Sequence, residues 1–126
     1  MKKYIFFVFL IIIIFSFSFV LLADDMEHYS YEVVNSYPHD KNAFTQGLEY
    51  YNGHLYEGTG LKGESTLRKV NLKSGKVIKN HKLADKYFGE GITIFNNKIY
   101  QLTWKSKTGF IYNLNFELID RFSYNY

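Results

Sequence analysis

Glu90 is the residue whose chemistry stands out. It lies between Gly89 and Gly91, two residues after Phe88, and the chain carries a closely similar stretch earlier on. FTQGLEYYNGHLYEGTG begins at Phe44 and FGEGITIFNNKIYQLTW at Phe88, and the two align without a gap at a shift of 44 residues. Phe44 then falls on Phe88, Gly47 on Gly91, Asn52 on Asn96, Tyr56 on Tyr100 and Thr59 on Thr103. The sharpest chemical difference is Gln46 against Glu90, a neutral amide against an acid that can also take up and release a proton. Trp104 stands where the first copy has Gly60, which favours a site role for the indole over simple packing. Each residue also has a plainer reading. A Glu between glycines in a strand-rich chain is otherwise a solvated turn residue, Gln46 otherwise satisfies backbone groups, and Phe44 and Phe88 otherwise pack in a core.

Other chemistries find little support. His28, His39, His54 and His81 are scattered with no paired spacing on a strand, which argues against a zinc site and leaves no metal expected. No serine sits in a nucleophile motif. The chain has no cysteine, so disulfides and lipid attachment through an N-terminal cysteine are both excluded. Arg68 and Lys69 read as an ordinary exposed pair on a strand. All twelve acidic residues and thirteen of the fifteen basic ones follow Ala23, which leaves that part at +1 with no run of like charge longer than two. Nothing in this balance suggests nucleic acid or an acidic partner.

The elements that must hold these residues read as strands and turns. Twelve Tyr and twelve Phe suit strands better than helices, and no span has an apolar stripe at helical spacing. A strand is expected over Tyr31 to Tyr37, followed by a loop from Pro38 to Asn42. Gln46 to Tyr50 and His54 to Gly58 form a hairpin around Asn52-Gly53, a strong turn signal. Leu67 to Leu72 and Lys76 to Lys82 form a second hairpin around Ser74-Gly75, and Ala84 to Tyr87 holds one helical turn at most. Gly91 to Phe95 and Lys98 to Trp104 flank Asn96-Asn97, and Phe110 to Asn113 with Phe116 to Phe122 complete the set. The fold class expected is all-β.

Residues 1–23 have the form of an export segment. Lys2 and Lys3 precede an uncharged, largely apolar run from Tyr4 to Leu22, and Ala23 is followed by Asp24-Asp25. The run of 19 residues is also long enough to span a bilayer, so a retained membrane anchor competes with a cleaved signal peptide. Either way the remainder is expected outside the cytoplasm, with 24–30 as a linker and 31–126 as the folded domain. A strand-built repeat of this length points to the blades of a β-propeller, and two copies make about two blades. Two blades leave a sheet face uncovered at each end. An incomplete propeller is therefore expected: the front part of a longer fold, a truncated reading frame, or a unit that associates with another copy or chain.

Five stretches in order then carry a family resemblance. They are Tyr37-Pro38-His39-Asp40, Ala43-Phe44-Thr45-Gln46-Gly47-Leu48, Gly63-Glu64-Ser65-Thr66-Leu67-Arg68, Tyr87-Phe88-Gly89-Glu90-Gly91-Ile92 and Gln101-Leu102-Thr103-Trp104-Lys105. Together they resemble the glutamine cyclotransferase family, the plant and bacterial type of glutaminyl-peptide cyclotransferase, over its N-terminal part. The resemblance implies a five-bladed propeller that takes the N-terminal glutaminyl residue of peptides and proteins, closes it to pyroglutamate and releases ammonia. It implies Glu90 as the catalytic general acid and base, Gln46 as an amide that hydrogen-bonds the substrate, and Phe44 and Trp104 as an aromatic wall. No cofactor is implied. The family's later site positions have no counterpart before Tyr126, so the alternative is a truncated, inactive blade piece that binds or assembles, or that has no function.

Overall fold

The computed structural model describes residues 26–125, so the expected export segment lies outside the described residues. Residues 26–34 and 35–126 fall into separate units. In the first, the described residues are exposed and form no strand, and the Tyr29 hydroxyl donates to the Glu27 carboxylate. The strand expected over Tyr31 to Tyr37 is therefore absent. An alternating pattern supplies faces but not a neighbour, and a strand exists only where a second backbone takes up its N–H and C=O groups.

The second unit contains eight strands: β1 (Thr45–Tyr51), β2 (His54–Thr59), β3 (Thr66–Asn71), β4 (Val77–Lys82), β5 (Gly89–Phe95), β6 (Lys98–Thr103), β7 (Thr108–Asn113) and β8 (Leu118–Ser123). They make two four-stranded antiparallel sheets in chain order, β1-β2-β3-β4 and β5-β6-β7-β8. No helix occurs among the described residues. Local chemistry explains the hairpins. Asn52 and Gly53 take positive φ values of 48° and 81°, and Asn96 and Asn97 take 49° and 58°, the left-handed pair that a tight two-residue turn needs. Phe116, expected to open a strand, instead sits in the last turn at φ 60°, and β8 begins two residues later at Leu118. Its ring is buried, edge-on to Tyr56 across the gap between the sheets. That packing holds an aromatic residue in a backbone conformation it rarely adopts.

The core lies between the two sheets. Tyr56, Leu67 and Leu83 on one side meet Ile99, Phe110, Tyr112 and Phe116 on the other. Burying a side chain of this size contributes about 1.5–3 kcal/mol each. Toward the β1–β5 edge the sheets come close enough to need glycine. A Cβ on Gly47 would stand 2.5 Å from the Ile92 amide nitrogen and 2.9 Å from the Gly91 Cα. Contacts also tie the two edge strands: Glu49 Oε2 accepts from the Ile94 N–H at 2.8 Å, and the Tyr51 hydroxyl donates to Asn97 Oδ1 at 2.7 Å. The remaining apolar surface includes Leu48 and Tyr50 on β1 and Phe95 and Leu102 on β5 and β6, all exposed.

Candidate active site

The repeat is visible in the backbone. The Gly60 N–H donates to the Phe44 carbonyl at 2.8 Å, and the Trp104 N–H donates to the Phe88 carbonyl at 2.9 Å. Each bond closes the open end of a hairpin and sets the residue just after the second strand opposite the aromatic residue just before the first. In the first copy that residue is Gly60, and a Cβ there would run into the Phe88 ring. In the second copy it is Trp104, whose indole lies 5.5 Å from Phe88, centroid to centroid, at 66°. Phe44 meets the same Phe88 ring edge-on at 6.0 Å. The result is a row of three rings, Phe44–Phe88–Trp104, with both end members about half exposed (48% and 50%).

Gln46 and Glu90 share a feature that the alignment alone does not show. On β1, Thr45 pairs with Thr59 and Gly47 with Gly58, so Gln46 is one residue in excess. On β5, Gly89 pairs with Thr103 and Ile92 with Gln101, so Glu90 and Gly91 together oppose Leu102. Both are β-bulges at equivalent places. A bulge interrupts the ladder and re-aims a side chain, a recurrent device beside binding and catalytic sites. Glu90 thus lies within a strand, not in a solvated turn, and it is half-buried.

Glu90 and Trp104 line one pocket of about 450 Å³, together with Gly91, Leu102, Thr103, Lys105 and Tyr124. Lys105 sits at φ 58° with its ammonium 4.2 Å from the centre of the indole ring. The Tyr124 hydroxyl donates to the Thr103 carbonyl and accepts from the Thr103 N–H at 3.2 Å, which fixes one wall. A carboxylate, an indole and an ammonium thus meet around a hollow with apolar walls. Phe44 and Gln46 are not among the residues lining this pocket. They join it through Phe88, since the Gln46 side chain and the Phe88 ring both lie against Gly60. Among the described residues no cluster of His, Asp and Glu is arranged to hold a metal ion.

Arg68 departs from the sequence reading. It is only 17% exposed and its Nη1 pairs with Asp40 Oδ2 at 2.9 Å, while Lys69 is half-buried with its ammonium 5.6 Å from the Tyr56 ring centre. Sequence reasoning also missed Glu57, which lies on β2 and is buried to 1% exposure. Its Oε1 accepts from Thr45 Oγ1 at 2.5 Å and lies 3.0 Å from His39 Nε2. His39 and Asp40 precede the Phe44–Gln46 stretch and Glu57 and Arg68 stand on facing strands, a juxtaposition that only the folded pairing reveals.

Two four-stranded antiparallel sheets, with an acid placed by a bulge in one pocket with a tryptophan, define an all-β protein with a candidate site at one end of its second hairpin. Comparison with known proteins places the chain within a family: residues 9–126 match the model for glutamine cyclotransferase, and the chain belongs to that family. It is 50% identical over 84 residues to a glutaminyl-peptide cyclotransferase of Arabidopsis thaliana, a stretch covering 66% of this chain and 26% of the relative. The crystal structure of Myxococcus xanthus glutaminyl cyclase superposes with a TM-score of 0.66 at 32% identity, over 75% of this chain and 40% of that one. The chain therefore spans about a quarter of the length of the curated relative and two-fifths of the solved one.

Proposed function

We propose that this protein serves a glutaminyl-peptide cyclotransferase reaction, with Glu90 as the group that moves the proton. The observation that carries the reading is the shared pocket: a half-buried carboxylate and a half-exposed indole facing one hollow, in a chain of this family. In this reaction the α-amine of an N-terminal glutamine attacks its own side-chain amide carbon. A C–N bond forms to close the five-membered ring, the bond to the amide nitrogen breaks, and ammonia leaves. The amine must lose a proton and the leaving nitrogen must gain one, so one carboxylate within reach of both can perform each transfer in turn. Ring closure also needs a particular rotamer of the substrate, and holding it there removes much of the entropic barrier. Gln46 would hold the substrate by hydrogen bonds, while Phe44 and Trp104 would cover its methylene groups and exclude water.

The rest of the reading is of the same kind. The two sheets are taken as blades of a five-bladed propeller, 31–126 as its domain, and residues 4–22 as the segment that exports or anchors it. Association with another chain belongs to the same proposal. A second reading has these residues bind or assemble without turnover, or serve no function, and the exposed apolar residues Leu48, Tyr50, Phe95 and Leu102 favour assembly.

Incubation of the purified protein with a peptide beginning in Gln decides between them. Turnover appears in the mass spectrum as the loss of one ammonia, and Glu90→Gln abolishes it while leaving the fold intact. Equal turnover by Glu90→Gln removes Glu90 from the mechanism. Binding of the peptide without any mass change supports the second reading.

A further inference from the structure

Glu57 is the one charged side chain that is fully buried among the described residues. An ionised carboxylate out of water costs several kcal/mol unless donors meet its oxygens. Here Oε1 has two partners, Thr45 Oγ1 at 2.5 Å and His39 Nε2 at 3.0 Å, while Oε2 faces the Arg68 guanidinium at an ion-pair distance of 3.9 Å. Arg68 in turn holds Asp40 at 2.9 Å and, through Nε, the Thr66 hydroxyl at 2.9 Å. Of these partners, His39 and Asp40 lie on the segment that runs into Phe44, and Thr45 stands between Phe44 and Gln46. The repeat sharpens the point. Glu57 is equivalent to Gln101, which is also fully buried but is covered by the other sheet and donates to the Thr66 carbonyl at 3.3 Å. In the first copy the same position carries an acid, and that acid grips the incoming chain.

We propose that Glu57 is a positioning residue for the substrate-binding wall: by holding the Thr45 hydroxyl it fixes the β1 bulge, and so the placement of Phe44 and Gln46 on either side. The geometry argues for this because Gln46 is the residue without a ladder partner, so its direction depends on what pins its neighbours. Thr45 is the last paired residue before it, and its side chain ends on Glu57. Phe44 precedes Thr45 and reaches the pocket through Phe88, whose other neighbour is Trp104, the single tryptophan of the chain. The inference rests on the cyclotransferase reading for what the wall binds, but not for what holds the wall.

The test uses Thr45→Val, which keeps the side-chain shape and removes the hydroxyl, beside Thr45→Ser, which keeps the hydroxyl. Trp104 fluorescence reads the binding of a peptide beginning Gln-Ala, with Ala-Ala as control. Thr45→Val is expected to weaken Gln-Ala binding at least about tenfold, and Thr45→Ser by less than about threefold, the sizes expected for a charge-assisted hydrogen bond lost or kept. Amide hydrogen exchange over residues 44–47 is expected to quicken in the Val variant alone, with β6 and β7 unchanged in both. Val binding like the parent, Ser losing as much as Val, or exchange at 44–47 equal in all three overturns the proposal. A parent that shows no preference for the Gln peptide overturns the cyclotransferase reading instead, and the exchange comparison then decides the role of Glu57.

Discussion

At the scale of single residues, two equivalent glycines have opposite constraints. A Cβ on Gly47 meets the backbone of β5 at 2.5 Å, whereas one on Gly91 meets nothing within 4 Å. Backbone cannot swing aside as a side chain can, so Gly47→Ala is expected to destabilise by about 1–3 kcal/mol, the range for overpacking. Gly91→Ala should leave the urea midpoint close to that of the parent, yet it lines the pocket and should disturb binding there. Equilibrium urea unfolding of the two variants checks the contrast. Asp40 offers a pH test at the same scale. The Asn42 backbone N–H and then the Arg68 guanidinium hold its carboxyl below the ordinary aspartate value. A depressed folded value means that its contribution is present above the unfolded pKa, near 3.8, and is lost as pH falls through the lower folded one. Asp40→Asn should therefore show a shallower loss of thermal stability than the parent as pH is lowered below that value.

At the scale of elements, the hairpins were legible because their turns are local chemistry: Asn52-Gly53 and Asn96-Asn97 can adopt left-handed backbone that most residues avoid. The bulges were not legible. Whether one strand carries a residue in excess depends on the pairing of its neighbour, and nothing at Gln46 or Glu90 announces it. Arg68 was misread for a related reason, since its exposure is set by Asp40 on a segment far away in sequence. Glu90, Gln46, Phe44 and Trp104 stood out through the repeat and the family motifs, whereas Glu57 is visible only once the chain before Phe44 is laid across β2. Tyr112, on β7 in the core between the sheets, gives an alkaline test. Burial pushes the Tyr112 hydroxyl up to about 12 from 10.0, so the folded state holds that proton where the unfolded chain has lost it. Its contribution is complete below pH 10, and it drains away as pH rises toward 12. Tyr112→Phe should flatten the fall in melting temperature over that interval, and thermal melts at several alkaline pH values would show it.

At the scale of the whole folded unit, the question is whether two similar sheets behave as two modules or one. Repeat architectures can unfold unit by unit when each repeat carries its own core. Here the core is made by the apposition: Leu67 and Tyr56 from the first sheet and Ile99, Phe110 and Phe116 from the second belong to one cluster. Neither sheet keeps an apolar interior once the other leaves. The edge contacts Glu49 to Ile94 and Tyr51 to Asn97 also join the sheets near their turns. One cooperative transition is therefore expected, and the sequence offers a clean way to see it. Trp104 is the only tryptophan and reports on the second sheet, whereas far-ultraviolet circular dichroism reports on both. The two urea curves should coincide for the parent. Leu67→Ala lies in the first sheet and empties a site with 0% exposure, a change that costs about 2–5 kcal/mol in a packed core. It should move the Trp104 curve as far as the dichroism curve, although the substituted residue is in the other sheet. A Trp104 transition that stays at the parent midpoint while the dichroism shifts would mean that the second sheet stands alone, and that the cluster between the sheets does not hold them together.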